Sequence, residues 1–126
     1  MIRIVTESMS DFTQEEAKAA DLIVMPLPIR FGMEEYWDDG VSLTQDDFYA
    51  RLRVAKELPK TSQVPVEHYR KCFNRLLENP EDEVLVITGS SKLSGCYQSA
   101  CIAREACHDP ARVTVLDSLN ATCAEY

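Results

Sequence analysis

The sequence predicts an α/β domain of three layers, with a mostly parallel sheet of about four strands flanked by helices. Two observations carry that prediction. Short apolar runs rich in β-branched residues recur at Ile2–Thr6, Leu22–Met25, Glu83–Thr88 and Arg112–Asp117, and such runs read as strands covered on both faces. Between them lie segments whose apolar residues return every three or four positions, the period of an amphipathic helix, so strand and helix alternate as in parallel βα units. At 126 residues the chain is expected to form a single domain, 1–126, with an ordinary core.

The elements follow in order. Ile2 to Thr6 is a strand, and Ser8 to Thr13 offers capping side chains before a helix running to about Ala20. Leu22 to Met25 begins a second strand, which Pro26 and Pro28 push toward an edge or a bend. A small β-hairpin is expected near residues 29–39, with Gly32 at the turn and Phe31, Tyr36 and Trp37 beside it. Thr44 and Asp47 resemble a capping box with aspartate in place of glutamate, predicting a helix over Gln45 to Lys56 with Phe48, Leu52 and Ala55 inward. Lys60 to Pro65 is a hydroxyl-bearing loop. Tyr69, Cys72, Phe73, Leu76 and Leu77 then follow the i, i+3, i+4, i+7, i+8 pattern of a helix that Asn79-Pro80 ends. Glu83 to Thr88 is the central strand, and Cys96, Ala100, Ala103 and Cys107 mark the helix after it. Arg112 to Asp117 is the last strand, followed by a helical start over Leu119 to Tyr126.

Composition excludes several functions. Acidic residues number 21 against 13 basic ones, a net charge of −8, and no basic patch offers the clustered Lys and Arg that nucleic acid binding requires. The N-terminus lacks the charged and apolar regions of a signal peptide, so none is expected. The longest apolar stretch, Leu22 to Ile29, is broken by two prolines and is too short to span a bilayer. Five cysteines without a framework spacing read as reduced residues of a cytoplasmic protein. His68 and Cys72 stand four apart on a helix and could share a ligand face. No CxxC or second pair completes a tetrahedral set, so neither a metal nor a cofactor is expected.

Chemistry concentrates in Gly89-Ser90-Ser91-Lys92-Leu93-Ser94-Gly95, which joins the central strand to a helix of small side chains. The carboxyl end of a parallel strand is where open α/β sheets bind ligands, and a helix N-terminus there favours an anion. The segment fits neither GxGxxG nor the P-loop pattern. It also fails G-x-S-x-G, because Leu93 stands where the second glycine belongs. A small hydrolase or transferase acting on an anionic ester would use Ser91 or Ser94 as nucleophile and a base such as His68. A protein-interaction module would instead present a flat apolar patch. The plain structural alternatives are that Ser90, Ser91 and Ser94 cap the following helix, and that Thr61 and Ser62 cap the one starting near Pro65.

Four segments, Ile4-Val5-Thr6-Glu7-Ser8, Lys60-Thr61-Ser62-Gln63, Ser90 to Ala100 and Asp117-Ser118, resemble in order and spacing the signatures of the DegV family of bacterial fatty-acid-binding proteins. The resemblance spans essentially the whole chain and corresponds to the family's N-terminal domain. It implies a carrier, not an enzyme, that holds one long-chain fatty acid with the carboxylate fixed by hydroxyls of two loops and the tail in an apolar tunnel. It further implies a separate ATP-dependent fatty acid kinase as partner, which makes an acyl phosphate for phospholipid synthesis. By position, Thr61 and Ser94 would donate hydroxyl hydrogen bonds, the Gly95 N–H would complete the seat, and Ser62 is a further candidate. Tyr36 and Trp37 would either pack within the hairpin or rim a lipid portal.

This chain departs from the family pattern at Glu7, where aspartate is usual, at Cys96, where threonine is common, and at Ala124, where glycine often stands. The family's second domain, which supplies further polar contacts and much of the tunnel wall, has no counterpart in the sequence. Two expectations follow: the chain pairs with itself as a homodimer or with another subunit to cover the open face, or it is a truncated member that has lost lipid binding.

Overall fold

The computed structural model describes residues 1–122. Four parallel strands, β1 (Ile2–Glu7), β2 (Leu22–Met25), β6 (Glu83–Thr88) and β7 (Val113–Asp117), form one sheet in the spatial order β2-β1-β6-β7. The intervening strands β3 (Pro28–Phe31), β4 (Glu34–Trp37) and β5 (Lys60–Thr61) form a small antiparallel sheet in the order β4-β3-β5. Its β3–β4 part is the expected hairpin, with Gly32 at a φ of 60° in the turn.

The parallel sheet turns back on itself between β1 and β6. From β1 the chain passes through helix α1 (Gln14–Ala19) to β2 on one side, and from β6 through α4 (Cys96–Ala106) to β7 on the other. Right-handed crossovers in opposite directions place α1 and α4 on opposite faces, which gives the three layers. Helix α3 (Val66–Leu76) packs against α4. Val5, Val84, Val86 and Val113 from the sheet meet Tyr69, Phe73, Ala100 and Ala103 from these helices in one buried core. The small side chains of α4 make that close approach feasible: Ala100 and Ala103 are fully buried.

Local signals explain most boundaries. Thr13 and Glu16 form a complete capping box at the start of α1, and Thr44 accepts from the Asp47 N–H at the start of α2 (Gln45–Val54). The expected Asp47 side of a second box is not among the bonds formed there. Helix α2 also differs in burial: it contains no buried residue, Phe48 and Leu52 are half-covered, and Ala55 is exposed. Its apolar side packs on the small sheet rather than on the core, with the Phe48 ring 5.8 Å from that of Phe31. The loop predicted over Lys60 to Pro65 begins as strand β5, because Thr61 pairs with Ile29 and Lys60 with Arg30. The helix predicted from Leu119 does not start there. Leu119 and Thr122 both have positive φ, and the Asp117 and Ser118 side chains hold a turn by accepting the Leu119 and Asn120 N–H groups. Cys123 to Tyr126, including Ala124, lie outside the described residues.

Candidate functional site

The reversal between β1 and β6 creates a crevice at their carboxyl ends, the position where doubly wound sheets hold ligands. Glu7, the last residue of β1, is fully buried there, and its Oε1 accepts the Gly89 N–H at 2.9 Å. This bond ties the two strand ends together. The Ser10 hydroxyl donates to the Glu7 carbonyl at 2.8 Å, and the Ser8 hydroxyl accepts the Leu27 N–H at 3.0 Å, fixing the entry to β3 against the same crevice.

On the other side of the crevice, the segment after β6 is held at several points. Ser90 Oγ accepts the Lys92 N–H at 3.2 Å, and the Ser90 N–H donates to the Asn120 carbonyl at 2.7 Å. Asp117 Oδ1 accepts the Ser91 N–H at 3.2 Å and the Leu119 N–H at 3.0 Å. The Ser91 hydroxyl is the main cause that lowers the Asp117 carboxyl below its usual range, and the Leu119 N–H adds to it. Ser90 and Asp117 therefore build the loop, while Ser94 and Gly95 face outward from it.

A cavity of about 180 Å³ opens between these loops. Thr61, Ser62 and Gln63 line one wall, Leu93, Ser94 and Gly95 the other, with Met9 and Leu27 adding apolar surface. All four candidate binding residues thus border one space, although 33 positions separate Thr61 from Ser94 in the chain. Helix capping does not account for the first pair: the N-cap of α3 is Pro65, with no side-chain cap bond. For Ser94 the local role is real, since its Oγ accepts the Cys96 N–H at 3.2 Å, and this leaves its hydroxyl proton to donate. Among the described residues, the Thr61 and Ser62 hydroxyls and the Gly95 N–H make no hydrogen bond within the protein.

The cavity lining carries hydroxyl, carboxamide, thioether and aliphatic groups and no ionisable side chain. Such a surface can bind an anion through neutral donors at a helix N-terminus. The two walls touch at Gly95: a Cβ there would lie 3.1 Å from Gln63 Cδ and would push that side chain aside by a few tenths of an ångström. His68, the base a serine nucleophile would need, is not on the cavity; its ring lies 5.1 Å from that of Trp37. Tyr36 and Trp37 pack in the hairpin region, with the Arg51 guanidinium 4.7 Å from the Tyr36 ring centre. The His68 and Cys72 pair belongs to no metal-holding cluster among the described residues.

Met9 and Leu27 escaped the sequence, and Glu7 stood out there only as a departure from the family pattern, not as the residue that ties the two strand ends. An acid ending an otherwise apolar strand was a usable signal for Glu7, since a buried carboxylate must find donors. Met9 and Leu27 carried no signal, because apolar residues in loops are commonplace.

A doubly wound α/β domain with an uncharged, hydroxyl-lined cavity at its strand reversal is the class that fold and site define. The chain belongs to the DegV family: the family model described as "Uncharacterised protein, DegV family" matches residues 1–125. It is 39% identical to a DegV domain-containing protein of Caldanaerobacter subterraneus, covering 96% of this chain and 42% of that protein. It is 35% identical to a fatty acid-binding protein of Thermotoga maritima, covering 98% and 42% respectively. Among solved structures, a stearic acid-binding protein from Eubacterium ventriosum superposes with a TM-score of 0.86 at 32% identity, over 97% of this chain and 43% of that one. A fatty acid-binding DegV family protein from Thermus thermophilus gives 0.84 at 33% identity, over 97% and 42%. The chain spans about two-fifths of the length of these relatives. No helix among the described residues is long and apolar enough to cross a membrane.

Proposed function

We propose that this chain is the carboxylate-holding part of a fatty-acid carrier and acts by binding rather than by catalysis. One observation carries the reading: two hydroxyl-bearing loops far apart in sequence border a single uncharged cavity at a helix N-terminus. Thr61 and Ser94 donate through their hydroxyls, Gly95 through its N–H, and Ser62 stands beside them. Neutral donors hold a carboxylate without burying a counter-charge, so the site discriminates by hydrogen-bond geometry and by the apolar tail. The relatives named as fatty acid-binding proteins support that choice of ligand.

The cavity, at about 180 Å³, is smaller than the roughly 300 Å³ at which ligand pockets usually begin. It fits a carboxylate and the first part of a chain; the rest of the tail needs a cover from a further domain, a second copy or another subunit. A separate kinase acts on the presented carboxylate, and the cytoplasm is the compartment that the free thiols Cys72, Cys96, Cys101 and Cys107 favour.

Native mass spectrometry of the protein purified from cells tests this reading, because it reports assembly state and co-purified lipid together. A long-chain fatty acid adduct is expected, and the double variant Thr61→Ala, Ser94→Ala should lose it while keeping its far-ultraviolet circular dichroism. Each lost bond to a charged group is worth about 1.5–3 kcal/mol, so the pair should weaken binding by at least about a hundredfold. Full occupancy in the double variant overturns the assignment of the seat.

A further inference from the structure

The two walls of the cavity come from different parts of the fold, and something must fix their separation. One side chain touches both. Cys96, the first residue of α4, is fully buried beneath the seat, and its Sγ accepts the Val64 N–H at 3.5 Å. Its own N–H donates to Ser94 Oγ at 3.2 Å. From α3 the Tyr69 hydroxyl lies against the same thiol, with Glu7 close by. Directly above, Gln63 rests on Gly95.

We propose that Cys96 is a positioning residue for the carboxylate seat: its sulfur fastens the Thr61–Val64 segment to the Ser94–Gly95 turn and so sets the distance between the two hydroxyl walls. This rests on the carboxylate reading above. The fastening is a backbone N–H to sulfur bond in a dry interior, where an unmade bond leaves the Val64 N–H without any partner.

Removing the sulfur should therefore relax the wall that carries Thr61 while leaving Ser94 and Gly95 on their helix. A merely packed cysteine has no such effect. Cys107, buried as the C-cap residue just past the far end of the same helix, provides the comparison.

The experiment uses the full chain with oleate as probe, measuring affinity by fluorescence displacement, melting temperature, and the exchange rate of the Val64 amide without ligand. Cys96→Ala should weaken oleate binding about tenfold and speed Val64 exchange by a similar factor. Cys107→Ala should lower the melting temperature comparably with oleate affinity unchanged. Cys96→Ser keeps an acceptor at nearly the same place and should restore both affinity and protection. Equal affinity in wild type and Cys96→Ala, unchanged Val64 exchange, or a Cys96→Ser variant as impaired as Cys96→Ala would each overturn the proposal. If wild type holds no oleate, the lipid reading falls, and the exchange measurement alone decides whether Cys96 fastens the loops.

Discussion

The parallel-sheet half and the small-sheet half of this molecule are built to different standards. In the first, Val5, Val86, Tyr69, Phe73, Ala100 and Ala103 have no exposed surface, and β1 and β6 pair side by side in register. In the second, α2 has no fully buried residue, β5 is two residues long, and Met33, Val54 and Leu58 lie open. Pro28 and Ile29 of β3 and Leu43 are buried, but many of its other contacts are rings and ion pairs at the surface, such as Phe31 on Phe48 and Arg51 on Glu34. The candidate seat draws Ser94 and Gly95 from the first half and Thr61 and Ser62 from the second. A closely packed wall therefore faces a sparsely packed one across the candidate seat, and we expect the second to be the adjustable one.

The largest expected effect breaks the comparison if it fails. Phe73→Ala, which empties a fully buried ring site, should cost about 3–5 kcal/mol, a large part of the stability of a domain this size. Phe48→Ala removes a half-covered ring and should cost about 1 kcal/mol. Chemical denaturation of both variants measures the difference. Equal losses would mean that the small sheet is part of the cooperative core.

A smaller effect sharpens it. The Ser62 N–H donates to the Pro28 carbonyl at 3.3 Å beside the short β5 pairing, so it should exchange by local opening. Val86, in the sheet centre, should exchange only with global unfolding, at least about a hundredfold more slowly. Fatty acid should raise the protection of Ser62 far more than that of Val86. Uniform protection across the two amides would remove the idea of an adjustable wall.

How much of this was legible in the sequence follows the same division. The helix Val66–Leu76 and the strand Glu83–Thr88 were readable because each buries a full face in the core, Tyr69, Cys72, Phe73 and Leu76 at helical spacing and Val84, Val86 and Thr88 at every second position. The helix over Gln45 to Val54 was readable in position but not in burial, since an amphipathic pattern does not say which surface covers it. Strand β5 was invisible because two residues carry no period, and its pairing with Ile29 and Arg30 is set by the tertiary fold. The seat itself was half legible. Hydroxyls and glycine near a helix start point to an anion, and the resemblance supplied Thr61. The sulfur beneath them looked like ordinary core, because nothing local distinguishes a packed cysteine from one that accepts a bond from another loop.

The smallest effect concerns the firm wall and its dependence on pH. Asp117 fastens Ser91 and Leu119, and its carboxyl is held below the ordinary aspartate value of 3.8, chiefly by the Ser91 hydroxyl and then by the Leu119 N–H. A carboxylate whose folded value is lowered stabilises the fold above the unfolded value and loses that contribution as pH falls through the folded one. Asp117 is solvent-facing, so the contribution is modest and weakened by salt. Asp117→Asn should melt slightly below wild type at pH 7, and the gap should shrink as pH is lowered from about 5 toward 3. A gap that stays constant over that range would show that the Asp117 charge does not hold the loop. The wall bearing Ser94 would then owe its firmness to the Ser90 bonds and the core beneath, and the contrast between the two halves would rest on packing alone.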